Sequence, residues 1–239
     1  MRTIFALLAA FPLALASPAL AKNDKTPPGN PCAKGNGNPC NGNNGNDGAQ
    51  GNAGAPGPID IDAPGFTGRG VFISQIGSGN VATVRQSAPT ARTDLVQRGD
   101  ANRAEIEQRG AGVAYASVTQ NANDHRATVV QDGPGRNTLF LSQGGGGNVA
   151  SATQTAVGAL YNGAVMAQTG SSNEMSLRQD GEDNRAVLSQ DGDGNKMTAT
   201  QTGVGARLAW VQQGNGLSDL NIVQDGASQP MSITQTGGR

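Results

Sequence analysis

The chain has 239 residues, a formal net charge of −1 and only 3% aromatic residues beside 36 glycines. A balance so close to neutral offers no electrostatic case for nucleic acid or an anionic membrane as a partner. A composition rich in Gly, Asn and Gln excludes an ordinary globular core and leaves two options, disorder or an ordered repeat.

The first element is an export signal. Arg2 precedes an apolar run from Ile4 to Ala16, and small residues end at Ala19-Leu20-Ala21, an A-x-A cleavage pattern. Pro12 and Pro18 interrupt the stretch, which is too short for a bilayer-spanning helix. Residues 1–21 are therefore expected to be a secretory signal peptide, and a chain released there is acidic by two charges. Residues 22–68 form a Gly/Asn/Pro-rich stretch with no strand or helix period, expected to be a flexible, disordered leader. It carries Cys32 and Cys40, the two cysteines of the chain. In an exported protein they can close a local disulfide, and two thiols alone make a poor metal site.

From residue 69 onward glutamine recurs on a clock: Gln75, Gln86, Gln97, Gln108, Gln120, Gln131, Gln143, Gln154, Gln168, Gln179, Gln190, Gln201, Gln213, Gln224 and Gln235. Most intervals are eleven residues, and the longer ones place their extra residues between arms. Each glutamine closes a seven-residue arm. Two residues before it stands an apolar side chain in every arm, from Ile73 to Ile233. Four residues before it the side chain is apolar everywhere except Thr93. Six residues before it asparagine occurs eight times, at Asn80, Asn102, Asn137, Asn148, Asn162, Asn173, Asn184 and Asn195.

A side chain that faces inward at every second residue is the mark of a strand, and this period excludes a helix. The connections are turn-forming, as in Ile76-Gly77-Ser78-Gly79. One arm cannot bury its inner face alone, but two arms joined by a turn can cover each other, and further pairs can stack on them. The expected fold is all-β: a two-sheet parallel β-solenoid of about seven and a half strand-turn-strand coils over residues 69–239. Inner Gln and Asn would then lie over their equivalents about 4.8 Å away, with amide bonded to amide.

The unit Gln-x-Gly-x-x-Asn-x5-Gln appears at Gln75/Gly77/Asn80/Gln86, Gln97/Gly99/Asn102/Gln108, Gln143/Gly145/Asn148/Gln154, Gln168/Gly170/Asn173/Gln179, Gln179/Gly181/Asn184/Gln190 and Gln190/Gly192/Asn195/Gln201. It resembles the curlin repeat of bacterial curli fibres, including a small residue two after the Asn, as in Ala82, Ala104, Ala150 and Ala186. The serine usual at the start of the first arm of each family repeat is mostly replaced by Ala, Asn or Arg, which marks a divergent member. The resemblance implies a subunit, major or nucleator in type, that leaves the periplasm unfolded through an outer-membrane secretion pore. At the cell surface it would polymerise with itself and with a second curlin-type subunit into an extracellular amyloid fibre that supports adhesion and biofilm matrix. It also implies a secretion-targeting role for the leader.

The outer positions set the two sheets apart. Odd-numbered arms place Phe72, Phe140, Val165, Val187 and Trp210 at the middle outward position, whereas even-numbered arms carry most of the charge. The odd sheet is thus the expected lateral contact face. Both ends of the stack read as open edges, with Pro230 at an outward position of the last arm.

No catalytic group and no cofactor is expected. His125, the single histidine, falls on an arm's Asn position, so a stacked polar side chain is favoured over a general base. Asp191-Gly192-Asp193-Gly194 hints at calcium, but calcium β-rolls repeat every nine residues, so turn aspartates are favoured. The alternatives of another class are a monomeric secreted adhesin and an ice-binding solenoid. For the latter, Thr83, Thr128 and Thr198 share a phase, but charged and Ser neighbours interrupt the column.

Overall fold

A computed structural model describes residues 61–226 and 229–237. The expected signal peptide, most of the expected leader, and Cys32 and Cys40 lie outside the described residues. Among the described residues no helix is long and apolar enough to cross a membrane.

The described chain is a two-sheet parallel β-solenoid. One sheet contains β1 (Arg69–Ile76), β3 (Thr90–Arg98), β5 (Val113–Asn123), β7 (Arg136–Gly146), β9 (Tyr161–Thr169), β11 (Arg185–Asp191), β13 (Arg207–Gly214) and β15 (Met231–Gly237). The other contains β2 (Val81–Gln86), β4 (Arg103–Gln108), β6 (Arg126–Asp132), β8 (Val149–Ala156), β10 (Glu174–Glu182), β12 (Lys196–Val204) and β14 (Ile222–Asp225). Each strand pairs in parallel with the strand two places along the chain, equivalent residue over equivalent residue, as in Leu177 beside Ala199 and Gln179 beside Gln201. The two sheets face each other over one continuous apolar core from Leu95 to Trp210.

Local sequence explains the elements. Along β4, β6 and β8 the burial alternates residue by residue, so that small and medium apolar groups such as Ala104, Ile106, Ala127 and Val129 go inward. The turns bring backbone against backbone at the ladder spacing. Gly192 has φ of 122°, and a Cβ there would stand 2.1 Å from the Gly214 carbonyl oxygen of the next coil. Only glycine meets both demands at that point.

The structure corrects the expected phase in one arm. In β13 the inner residues are Leu208, Trp210 and Gln212, all fully buried, and Gln213 is exposed. Both phases of this arm are apolar and the glutamine is doubled, so the pattern of types alone does not choose between them. Ladder pairing does, since Gln190 lies beside Gln212 and Leu188 beside Trp210. Trp210 is therefore a core side chain and does not belong to an outer face. At the β14 edge, Leu220 was expected inside and is instead 48% exposed. Asn221 has a positive φ of 46°, and the Asp219 carboxylate turns back to accept the Thr198 N–H at 2.9 Å. A side-chain oxygen thus stands where a strand carbonyl would, and β14 is short.

The phase correction has a measurable consequence. Gln212→Ala should cost about 2 kcal/mol or more in chemical denaturation, because it strands buried amide partners on both sides. Gln213→Ala should change stability by less than about 0.5 kcal/mol.

Candidate assembly interface

The inner glutamines form two continuous columns of side-chain amides. On the odd sheet Nε2 of Gln75 donates to Oε1 of Gln97, and the series runs on through Gln120, Gln143, Gln168, Gln190 and Gln212 to Gln235, at 2.6–3.0 Å. On the even sheet it runs from Gln86 through Gln108, Gln131, Gln154, Gln179 and Gln201 to Gln224, at 2.7–2.9 Å. The second amide hydrogen crosses to the opposite sheet: Gln86 donates to the Gly70 carbonyl, Gln97 to Val81, Gln108 to Arg92 and Gln131 to Tyr115. Each glutamine between the ends of the columns thus spends both donors, one along the stack and one across it, which is what a buried carboxamide requires. Thr93, the one polar residue at its inner position, donates to Gln108 Oε1 at 2.9 Å.

The asparagines work differently from the expected amide-to-amide stack. Oδ1 of Asn80 accepts the backbone N–H of Asn102, and Asn148, Asn173 and Asn195 continue in the same way on the even side. Their Nδ2 groups donate to turn carbonyls of the next coil, as Asn80 to Gly99 and Asn173 to Gly192, both at 2.7 Å. Asn is short enough to clip backbone to backbone, whereas Gln reaches its own kind. The odd side carries the other three. Asn162 and Asn184 accept the N–H of Asn184 and Ala206, and the buried Oδ1 of Asn137 has no partner.

His125 fills one place in the even asparagine column. Its backbone N–H donates to Asn102 Oδ1, its Nδ1 accepts the Asn148 N–H at 3.3 Å, and its Nε2 lies 2.8 Å from the Asn121 carbonyl. That arrangement requires the neutral tautomer with the proton on Nε2. Burial holds its pKa below the ordinary histidine value, against the smaller opposing pull of the Asn121 carbonyl and of Asp124. The turn aspartates are likewise spoken for, since Asp193 accepts the Ser171 N–H at 2.6 Å and Asp100 the Ser78 N–H at 2.7 Å.

The outer face of the odd sheet, the expected lateral contact face, is partly covered, and one of its five expected residues lies in the core. Phe72 is 57% exposed, Phe140, Val165 and Val187 are half-buried, and Trp210 is inside. Much of the covering comes from the chain itself. Residues 61–68 run along this face as a strap: Ile61 is buried at Gly163 of β9, where a Cβ would come within 3.0 Å of it. The ring of Phe66 packs against Tyr115, and Tyr115 in turn packs against Phe140. Tyr115 donates to Asp94 at 3.0 Å. Burial together with that carboxylate pushes its pKa up to about 12.

Inner apolar residues are uncovered at the ends of the stack. The inner residues Val71 and Ile73 of β1 are 43% and 46% exposed, although their equivalents in the middle coils are fully buried. Both columns of glutamines point the same way. The β1/β2 end therefore presents the Oε1 acceptors of Gln75 and Gln86, and the β14/β15 end presents the amide groups of Gln224 and Gln235. The two ends are complementary in hydrogen bonding.

The His125 site predicts a pH dependence with a definite sign. A folded-state pKa below the unfolded value of about 6.5 means that the unfolded chain binds more protons there, so stability is full above that pH and declines as pH falls through it. His125→Asn, which restores the column's usual side chain, should flatten unfolding stability between pH 7.5 and 5.5.

Residues 170–203 match the curlin associated repeat family, a stretch that contains two of the Gln-x-Gly-x-x-Asn units in full, those beginning at Gln179 and Gln190. Neither a curated protein nor a solved structure matches the chain. The match, the repeat that extends in the same phase through the described strands, and the solenoid together fit a curli-like structural subunit, similar over residues 170–203 to the curlin associated repeat.

Proposed function

We propose that the chain is a structural subunit of an extracellular curli-like amyloid fibre, growing end to end by the addition of one solenoid to the edge of another. The observation that carries this reading is the polarity of the two glutamine columns, donors at one end and acceptors at the other, with half-exposed inner apolar residues at the β1/β2 edge. An edge strand with unpaired backbone and a matching partner edge on every copy is a template for open, unidirectional growth. The curlin repeat supports the extracellular placement and a structural role, not an enzymatic one. On this reading the principal partner is a second copy of the chain. A second curlin-type subunit and an outer-membrane secretion pore are the further partners, and adhesion and biofilm matrix are the service performed.

The test is growth from preformed seeds. The chain should convert to fibres that bind thioflavin and give a cross-β reflection near 4.7 Å. A variant with Ile73→Asp and Val84→Asp, which buries two carboxylates at the junction, should elongate those seeds at least tenfold more slowly. A parent chain that stayed monomeric for days at high concentration, or a double variant that elongated like the parent, would contradict the proposal.

A further inference from the structure

The repeating unit of this solenoid is one strand rather than one two-strand coil. Gln86 of β2 donates to the carbonyl of Gly70 on β1, Gln97 of β3 to Val81 on β2, and Gln108 of β4 to Arg92 on β3. In each case the acceptor lies sixteen residues earlier, whether the step runs from odd sheet to even or from even to odd. The two kinds of step are equivalent, and each is a half turn about the stack axis with half a ladder spacing of rise. The described strands number fifteen, so β15 stands in the odd sheet one step beyond β14. The next position in the series lies in the even sheet, over β14.

We propose that successive copies in a fibre are related by a half turn about its axis, with β1 of one copy stacking on β14 of the copy before it and β2 on β15. This rests on the fibre reading above and specifies its interface. A copy added without rotation would set its β1 on β15 and leave its β2 two ladder spacings, about 9.6 Å, from β14. Met231 and Ile233 of β15, and Val71 and Ile73 of the added β1, would then face an empty position. The half turn fills it. In phase with the internal ladder, Ile73 falls over Ile222, Val84 over Ile233 and Ala82 over Met231, while the Gln75 and Gln86 acceptors meet the amides of Gln224 and Gln235. The junction is also the weakest rung of the ladder. At the position of Pro230 other arms donate a backbone N–H to the next coil, as Arg103 does to His125 and Arg185 to Ala206, and proline has none to give. The strap-covered face then alternates from one side of the fibre to the other, copy by copy, so no continuous apolar stripe runs along it.

Cysteine pairs distinguish the arrangements. In the full chain with Cys32→Ser and Cys40→Ser, the half turn places Thr83 of one copy beside Ser232 of the copy before it, whereas unrotated stacking places Phe72 there. Neighbouring parallel strands hold equivalent Cα atoms within disulfide reach. Fibres of the Thr83→Cys/Ser232→Cys chain, assembled reduced and then oxidised, should run on a non-reducing gel as a ladder of linked chains. Their linked fraction should be at least tenfold above that of Phe72→Cys/Ser232→Cys fibres. The reverse ratio, or fibres in which neither pair links, would overturn the half turn and leave the fibre reading standing. Absence of fibres from the parent of both pairs would overturn the fibre reading and the half turn with it.

Discussion

Burying a primary amide away from water is costly unless both its hydrogens and its oxygen find partners, and this chain buries twelve glutamine amides in two columns. The structure is organised around meeting that requirement. Each glutamine finds its acceptor in the coil above and its second acceptor across the sheet, so removing one strand would leave unpaired groups on strands that touch no solvent. The requirement fixes the strand spacing, the in-phase stacking and the parallel pairing together. It also explains why so small an apolar content suffices: the core residues are largely Ala, Val, Leu and Met, and the amides contribute direction and register that such a core lacks.

The same logic has no natural stopping point within the repeat. A column of identical donors and acceptors ends with one kind of group at each extremity, and the half-exposed residues of β1 show what an end costs. The chain blunts one end only in part, through the short β14, the turned-back carboxylate of Asp219 and the missing donor of Pro230. Its odd-sheet flank is treated differently, with Ile61 and Phe66 laid over the groove that Gly163 opens and Tyr115 lines.

Much of this was legible in the sequence, because an inner glutamine every eleven residues with apolar residues at minus two and minus four leaves only one kind of fold. Beyond the turned-out Leu220, three features were not. The arm ending in Gln212-Gln213 satisfies the pattern in either phase, and only the position of Gln190 beside Gln212 settles it, which moves Trp210 from the surface to the core. A strict count of eleven from Gln201 was the available signal. The asparagine columns were located by spacing, but their chemistry depends on side-chain length: Oδ1 reaches a backbone N–H and not another amide. The strap had no period to betray it. Ile61 and Phe66 sit in a stretch of Asp, Pro and Gly, and the small side of the groove, Gly163, lies about a hundred residues away.

The most direct test of the amide columns is solid-state NMR on assembled protein with isotope-labelled glutamine side chains. Through-space contacts from each Nε2 to the side-chain carbonyl carbon of the glutamine one coil on should appear for both columns, with Gln212 inside the network and Gln213 outside it. Side-chain amides that exchange freely with water and show no contacts to one another would contradict the claim that they hold the solenoid together.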